Sequence, residues 1–177
     1  MDIFESARRK YLPKPIKYLL ITEAPPKIGS DRFFYFENVR NYDSLFLEII
    51  NVLYPEDTNR LDIYTIRSLK KVFLDKFKSD GFYLIDSLEN PFETKVSEKI
   101  KIKTINNGIP KLITHIESLI NETTKIILIS STVYYGAYIS LLEYGFNVVN
   151  MGRLVFPSAG WQKTFRTDFA DLLIDIK

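Results

Sequence analysis

Three short stretches and one aromatic run hold the side chains best suited to chemistry. Thr22-Glu23-Ala24-Pro25-Pro26 sets a carboxylate at the end of an apolar run, with two prolines stiffening the chain behind it. A carboxylate held in that way is positioned rather than floppy, and can read a ligand edge or hold water. Phe33-Phe34-Tyr35-Phe36 follows, an aromatic quartet offering a surface on which a planar ligand can stack. Asp86, in Asp86-Ser87-Leu88-Glu89-Asn90-Pro91, adds a second carboxylate able to read a ligand edge or hold water. The third stretch runs from Phe156-Pro157-Ser158 through Trp161 to Lys163 and Arg166. The two cations fall in the first turn of a predicted helix, whose amide N–H groups also favour anions. Basic, aromatic and small residues in one loop suit contact with nucleic acid. Plainer roles exist for the same residues. Glu23 can pair with a lysine or arginine, the phenylalanines can fill a core, and Asp86 can serve turn chemistry ahead of proline.

Composition closes several routes. The chain has 177 residues, no cysteine and one histidine. Without thiols there is no disulfide framework, thiolate zinc site, iron–sulfur cluster or cysteine nucleophile. His115 falls mid-helix with no paired ligand in sequence, and is read as structural. No cofactor and no metal is expected. The net charge of +2 is too balanced to demand a polyanionic partner, so any such partner must meet a local patch. Arg8-Arg9-Lys10 and the Lys99–Lys103 stretch read as solvated faces. No Walker motif, G-x-G-x-x-G, G-x-S-x-G or H-E-x-x-H occurs. No apolar run approaches the ~18–20 residues of a membrane span, and the start MDIFESARRK is too charged for a signal peptide. The expected setting is therefore cytoplasmic, away from membranes.

The elements that must position these residues show in the hydrophobic pattern. Apolar runs at Lys17–Ala24, Phe82–Ser87, Lys125–Ser131 and Phe146–Met151 are continuous rather than alternating, as for strands buried on both faces. Helical periodicity fills the gaps between them. Asp43 can cap a helix through Leu53, and Thr65–Lys78 reads as one helix. Pro110 opens a helix, Thr132 can cap another ending near Gly145, and a last one runs from Gln162 to Ile176. Asn90–Asn107 reads as a charged, mobile loop. Alternating strands and helices predict one α/β domain over residues 1–177. Its expected form is a three-layer α/β/α sandwich with a central, mainly parallel four-stranded sheet. Ligands of such folds bind beyond the carboxyl ends of the strands, where Glu23, Asp86 and the Phe156 loop fall.

Taken in order, these loops resemble the uracil-DNA glycosylase superfamily. Thr22-Glu23-Ala24-Pro25-Pro26 is similar to its first motif, commonly Gly-Glu-Ala-Pro-Gly, and Phe156-Pro157-Ser158 to its last, commonly His-Pro-Ser. The resemblance implies an α/β/α fold and hydrolysis of the N-glycosidic bond of a flipped base in DNA, single-stranded or duplex. It implies Glu23 as the catalytic carboxylate, stacking by Phe33, Phe34 or Phe36, and base recognition near Asp86. It also implies that Pro157 and Ser158 press on the strand while Lys163 and Arg166 contact phosphates. Two departures bear on catalysis. Phe156 stands where the family has a histidine that stabilises the leaving base, and loss of such a donor costs about 10²–10³-fold in rate. Thr22 replaces the opening glycine. A non-catalytic nucleic-acid-binding member and a small nucleoside or nucleotide hydrolase are the alternatives.

Overall fold

The computed structural model describes residues 3–176; residues 1, 2 and 177 of the expected domain lie outside them. Among the described residues, β1 (Tyr18–Thr22), β2 (Phe82–Asp86) and β3 (Lys125–Leu128) form one parallel sheet in the order β2-β1-β3. The register sets Thr22 opposite Asp86, and Ile21 opposite both Ile85 and Leu128. The carboxyl ends of all three strands therefore finish on one edge. Leu19, Leu20 and Ile21 of the central strand are sealed from solvent, as are Leu84, Ile85, Ile126, Ile127 and Leu128 beside them. Burying each such side chain contributes ~1.5–3 kcal/mol, which explains why the runs show no polar alternation.

The sheet has three strands, where the apolar runs predicted four. Phe146–Met151 meets the sheet at a single bridge, Val148 opposite Ile126. Beyond that bridge a side chain takes over from the backbone. The Asn150 carboxamide accepts from Leu128 N–H at 2.7 Å and donates to Leu128 C=O at 3.0 Å. It satisfies Leu128 as a fourth strand would, and backbone pairing resumes only at a second isolated bridge, Leu154 opposite Ile129, so no continuous fourth strand forms.

Helices α1 (Ile3–Lys10), α2 (Ser44–Leu53), α3 (Pro55–Thr58), α4 (Ile63–Ser68), α5 (Lys70–Ser79), α6 (Glu98–Asn107), α7 (Ile109–Glu117), α8 (Ser131–Tyr144) and α9 (Gln162–Ile176) complete the described chain. α2 packs on α9, and α6 packs on α8. Gly145, with φ of 100°, closes α8 in the left-handed turn that a Cβ disfavours. Other expectations need correction, among them the Thr132 cap, since α8 starts at Ser131 and Ser130 caps it by accepting from Val133 N–H. The Asn90–Asn107 segment is a loop only in part, because Ser97 caps α6 by accepting from Ile100 N–H. Thr65–Lys78 is two helices broken at Leu69, after which Lys70 turns inward and is fully buried. Arg8 belongs to no solvated face: it is buried on α1. No helix among the described residues is long and apolar enough to cross a membrane.

Candidate functional site

Strand register builds the site. Glu23 leaves β1 directly after Thr22, and its main-chain oxygen accepts from Ser87 Oγ at 2.6 Å and from Leu88 N–H. Two consecutive residues after β2 thus tie down the backbone that carries the carboxylate. The carboxylate itself has two partners. Oε1 accepts from Lys101 Nζ at 2.7 Å, and Oε2 from the Thr132 hydroxyl at 2.6 Å. Ser130 Oγ lies 2.9 Å from Thr132 Oγ1, so a hydroxyl relay runs from the end of β3 to Glu23. Ser130 has φ of 99°, a left-handed setting that is costly for a side-chain-bearing residue and is met chiefly where a site demands it.

Asp86 is held differently. Its Oδ1 accepts from the Thr22 hydroxyl at 2.8 Å and its Oδ2 from Arg8 Nη2 at 2.6 Å, all within the protein interior. Burial pushes its pKa above the usual carboxylate range, against the pull of the Arg8 charge and the Thr22 hydrogen bond. Arg8 also donates to Glu5 at 3.0 Å, so this guanidinium bridges a surface carboxylate and a buried one.

Two adjoining cavities open around Glu23. One, of about 340 Å³, is lined by Glu23, Phe33, Phe34, Tyr42, Asp43, Asp86, Lys101 and Phe156, with other residues. Its size lies at the low end of the ~300–1,000 Å³ typical of ligand pockets. The other, of about 390 Å³, carries Ser130, Ser131, Thr132, Arg153, Ser158 and Trp161 and shares Glu23, Lys101 and Phe156 with the first. The first is walled largely by rings and aliphatic groups; the second by hydroxyls and cations.

The structure thus brings Glu23, Phe33, Phe34, Asp86 and Phe156 into one cavity, and Ser158 into its neighbour. The rings, however, are not equally free to stack. Phe33 and Phe34 are buried, Phe33 against Phe4, Tyr35 and Phe36, and Phe34 against Tyr35, Phe46 and Phe77. Phe36 stacks on Phe4 and borders a separate surface cavity beside Glu37. The rings that this cavity shares with solvent are Phe156, 39% exposed, and Tyr42, 75% exposed, with the Arg32 guanidinium 4.3 Å from the Tyr42 centroid. Pro157 is buried. Lys163 is exposed in the first turn of α9, whereas Arg166 is paired with Glu48 at 2.7 Å.

Several side chains of the site were missed in the sequence. Lys101 sat within a stretch read as solvated, and indeed Lys99 and Lys103 on the same helix are exposed. Its one signal is the helical spacing of α6, which turns Lys101 and Ile105, four residues apart, to one side. Asp43 was read as a helix cap, but its side chain makes no capping bond. It pairs instead with the buried Lys70 at 2.8 Å. Burial raises the Asp43 pKa to about 6 despite Lys70, and burial likewise lowers that of Lys70. The described residues hold no group of three or more histidine, cysteine or acidic side chains placed to bind a metal ion. Comparison with known proteins finds no match to this chain among protein-family models, curated proteins or solved structures.

Proposed function

We propose that this chain is a cytoplasmic, uracil-DNA-glycosylase-like enzyme that hydrolyses the N-glycosidic bond of a flipped, damaged or deaminated base in DNA. The observation that carries the reading is the placement of Glu23. Its carboxylate stands where an aromatic cavity adjoins a hydroxyl- and cation-lined one, at the carboxyl edge of a parallel sheet. A base seated in the first cavity and a sugar-phosphate in the second would bring the glycosidic bond past that carboxylate. Glu23 would then orient water and offset the charge of the sugar cation as the bond breaks. Extrusion costs a few kcal/mol, which ring contacts with Phe156 and Tyr42 would help to offset. The same reading takes the helices as two layers about the sheet, a three-layer sandwich, supported by the pairing of α2 with α9 and of α6 with α8.

The test is incubation with oligonucleotides carrying uracil, hypoxanthine, xanthine or mismatches, as single strands and duplexes, followed by alkaline cleavage of abasic products. Base release from at least one substrate is the expected result. Binding without release from any of them would favour the non-catalytic reading. A specific observation stands behind that alternative: Phe156 brings a ring with no hydrogen-bond donor to the cavity wall. Release from free nucleosides but not from oligonucleotides would point to a small-molecule hydrolase.

A further inference from the structure

Lys101 is the feature of the cleft that base hydrolysis does not use. Among the described lining residues of the two cavities it is the one primary amine, and it faces both. Its Nζ lies 2.7 Å from Glu23 Oε1, with the Phe92 ring centroid 5.7 Å away on another side. The side chain is largely covered, at 30% exposure, so the amine is held at the carboxylate rather than sweeping through solvent. Thr132 fixes the far oxygen of that carboxylate at 2.6 Å. An amine set beside a base is the pair of groups needed for imine chemistry on an aldehyde.

We propose that Lys101 and Glu23 form an abasic-site lyase, a second activity that acts on DNA from which a base has already been lost. This rests on the reading that the cleft accepts a nucleic-acid strand, but not on release of the base by this protein. The ring-opened deoxyribose of an abasic site presents an aldehyde at C1′. Glu23 takes a proton from the Lys101 ammonium, and the freed amine adds to C1′. The protonated Glu23 returns its proton to the carbinolamine oxygen, which leaves as water, giving an iminium ion. The iminium acidifies C2′–H, and Glu23, again a carboxylate, accepts that proton. The electron pair forms the C2′–C3′ double bond as the C3′–O bond breaks, and the phosphate leaves on the 5′ end of the downstream strand. Water then hydrolyses the iminium, restoring the Lys101 ammonium and releasing an unsaturated aldehyde on the upstream strand, while Glu23 gives the C2′ proton to solvent and is a carboxylate again. No oxidant, reductant or metal enters the balance.

The experiment uses a 5′-labelled oligonucleotide with a preformed abasic site and the full chain. With sodium borohydride present, the imine is reduced to a stable amine and the protein is trapped on the strand. Without it, scission 3′ to the site is measured. The parent is expected to give both adduct and scission. Lys101→Arg keeps a cation opposite Glu23 but cannot form an imine, so both signals fall to those of the unfolded protein, while its circular dichroism stays that of the parent. Glu23→Gln retains adduct in part and loses scission. An adduct from Lys101→Arg equal to that of the parent overturns the proposal, as does a parent adduct no greater than the unfolded control. Base release on the modified oligonucleotides without trapping leaves the glycosylase reading standing and sinks this one. Trapping without base release does the reverse.

Discussion

At the scale of the residue, each carboxylate at this sheet edge has its own environment, and the environments separate their roles. Glu23 is held by a lysine and a hydroxyl where two cavities meet, whereas Asp86, in the wall of one of them, is buried and paired with Arg8 and Thr22. If Glu23 offsets charge that appears only in the transition state, Glu23→Gln loses most turnover while its affinity for the oligonucleotide holds or improves. The loss therefore appears in kcat rather than in ground-state binding. Single-turnover base release by the parent and Glu23→Gln proteins measures it, and full activity in the variant would sink the mechanism. In the same assay Phe156→His, which restores a donor on the cavity wall, raises the rate. Asp43 gives a prediction in stability. Its folded pKa of about 6 lies above the ordinary 3.8, so the native state holds the proton more tightly than the unfolded chain. The stability it contributes is therefore lost as pH rises from about 4 to about 6. Asp43→Asn removes that dependence, while Asp86 and Glu48, also raised by burial, still titrate in the variant. The difference in unfolding free energy between the two proteins thus moves in favour of Asp43→Asn across that interval, by on the order of 2 kcal/mol. Urea unfolding at pH 4, 5, 6 and 7 checks it, and a constant difference would show that Asp43 does not titrate there.

At the scale of the element, what the sequence revealed depended on whether an apolar run had to be satisfied by backbone alone. β1, β2 and β3 were legible because strands covered on both faces leave little room for polar residues. The Phe146–Met151 run looked alike, but Asn150 ends its pairing with a side chain, and hydrophobicity does not record that substitution. Likewise Thr65–Lys78 keeps helical spacing across the break at Leu69, since the apolar face continues while Lys70 is drawn in to Asp43. Glu23 and Asp86 were legible as cavity residues because they stand at the ends of β1 and β2, and Phe156 because its loop follows an apolar run that bridges to the sheet. Lys101 and Arg8 were not, because a lysine or arginine held against a distant carboxylate has the same sequence signature as one in water. The seating of α6 can be tested through Gly136 of α8. A Cβ there would lie 2.9 Å from Ile105 Cβ and Cγ2 and 3.1 Å from the Ile102 carbonyl oxygen. Alanine gains up to ~1 kcal/mol of helix propensity, but overpacking against a β-branched residue and a main-chain oxygen costs ~1–3 kcal/mol. Gly136→Ala is therefore destabilising by about 1 kcal/mol and lowers Tm by several degrees. Since Ile105 lies one turn from Lys101, borohydride trapping falls with it. A raised Tm would mean that α6 yields freely at this contact.

At the scale of the molecule, a net charge of +2 gives no broad attraction to a polyanion, so affinity for a strand has to come from individual cations at the cleft. Several of the candidates are already neutralised. Lys101 faces Glu23, Arg8 faces Asp86 and Glu5, and Arg166 faces Glu48. Arg153, which donates to the Ser131 hydroxyl at 3.5 Å, and Lys163 in the first turn of α9 are both exposed. Each phosphate contact contributes roughly 0.7 to the log–log salt slope on a single strand and roughly 0.9 on B-form DNA. Removing both cations with Arg153→Ala and Lys163→Ala should therefore flatten the slope by about 1.4 on single strands and about 1.8 on duplex. Arg166→Ala instead leaves the slope unchanged and lowers thermal stability modestly, because it strips the partner from a largely covered Glu48. Anisotropy titrations of a labelled oligonucleotide from 50 to ~300 mM salt separate the two cases. A slope insensitive to the double substitution would move the strand off this face of the sheet. A slope that flattened equally with Arg166→Ala would mean that the strand displaces Glu48 and opens that ion pair on binding.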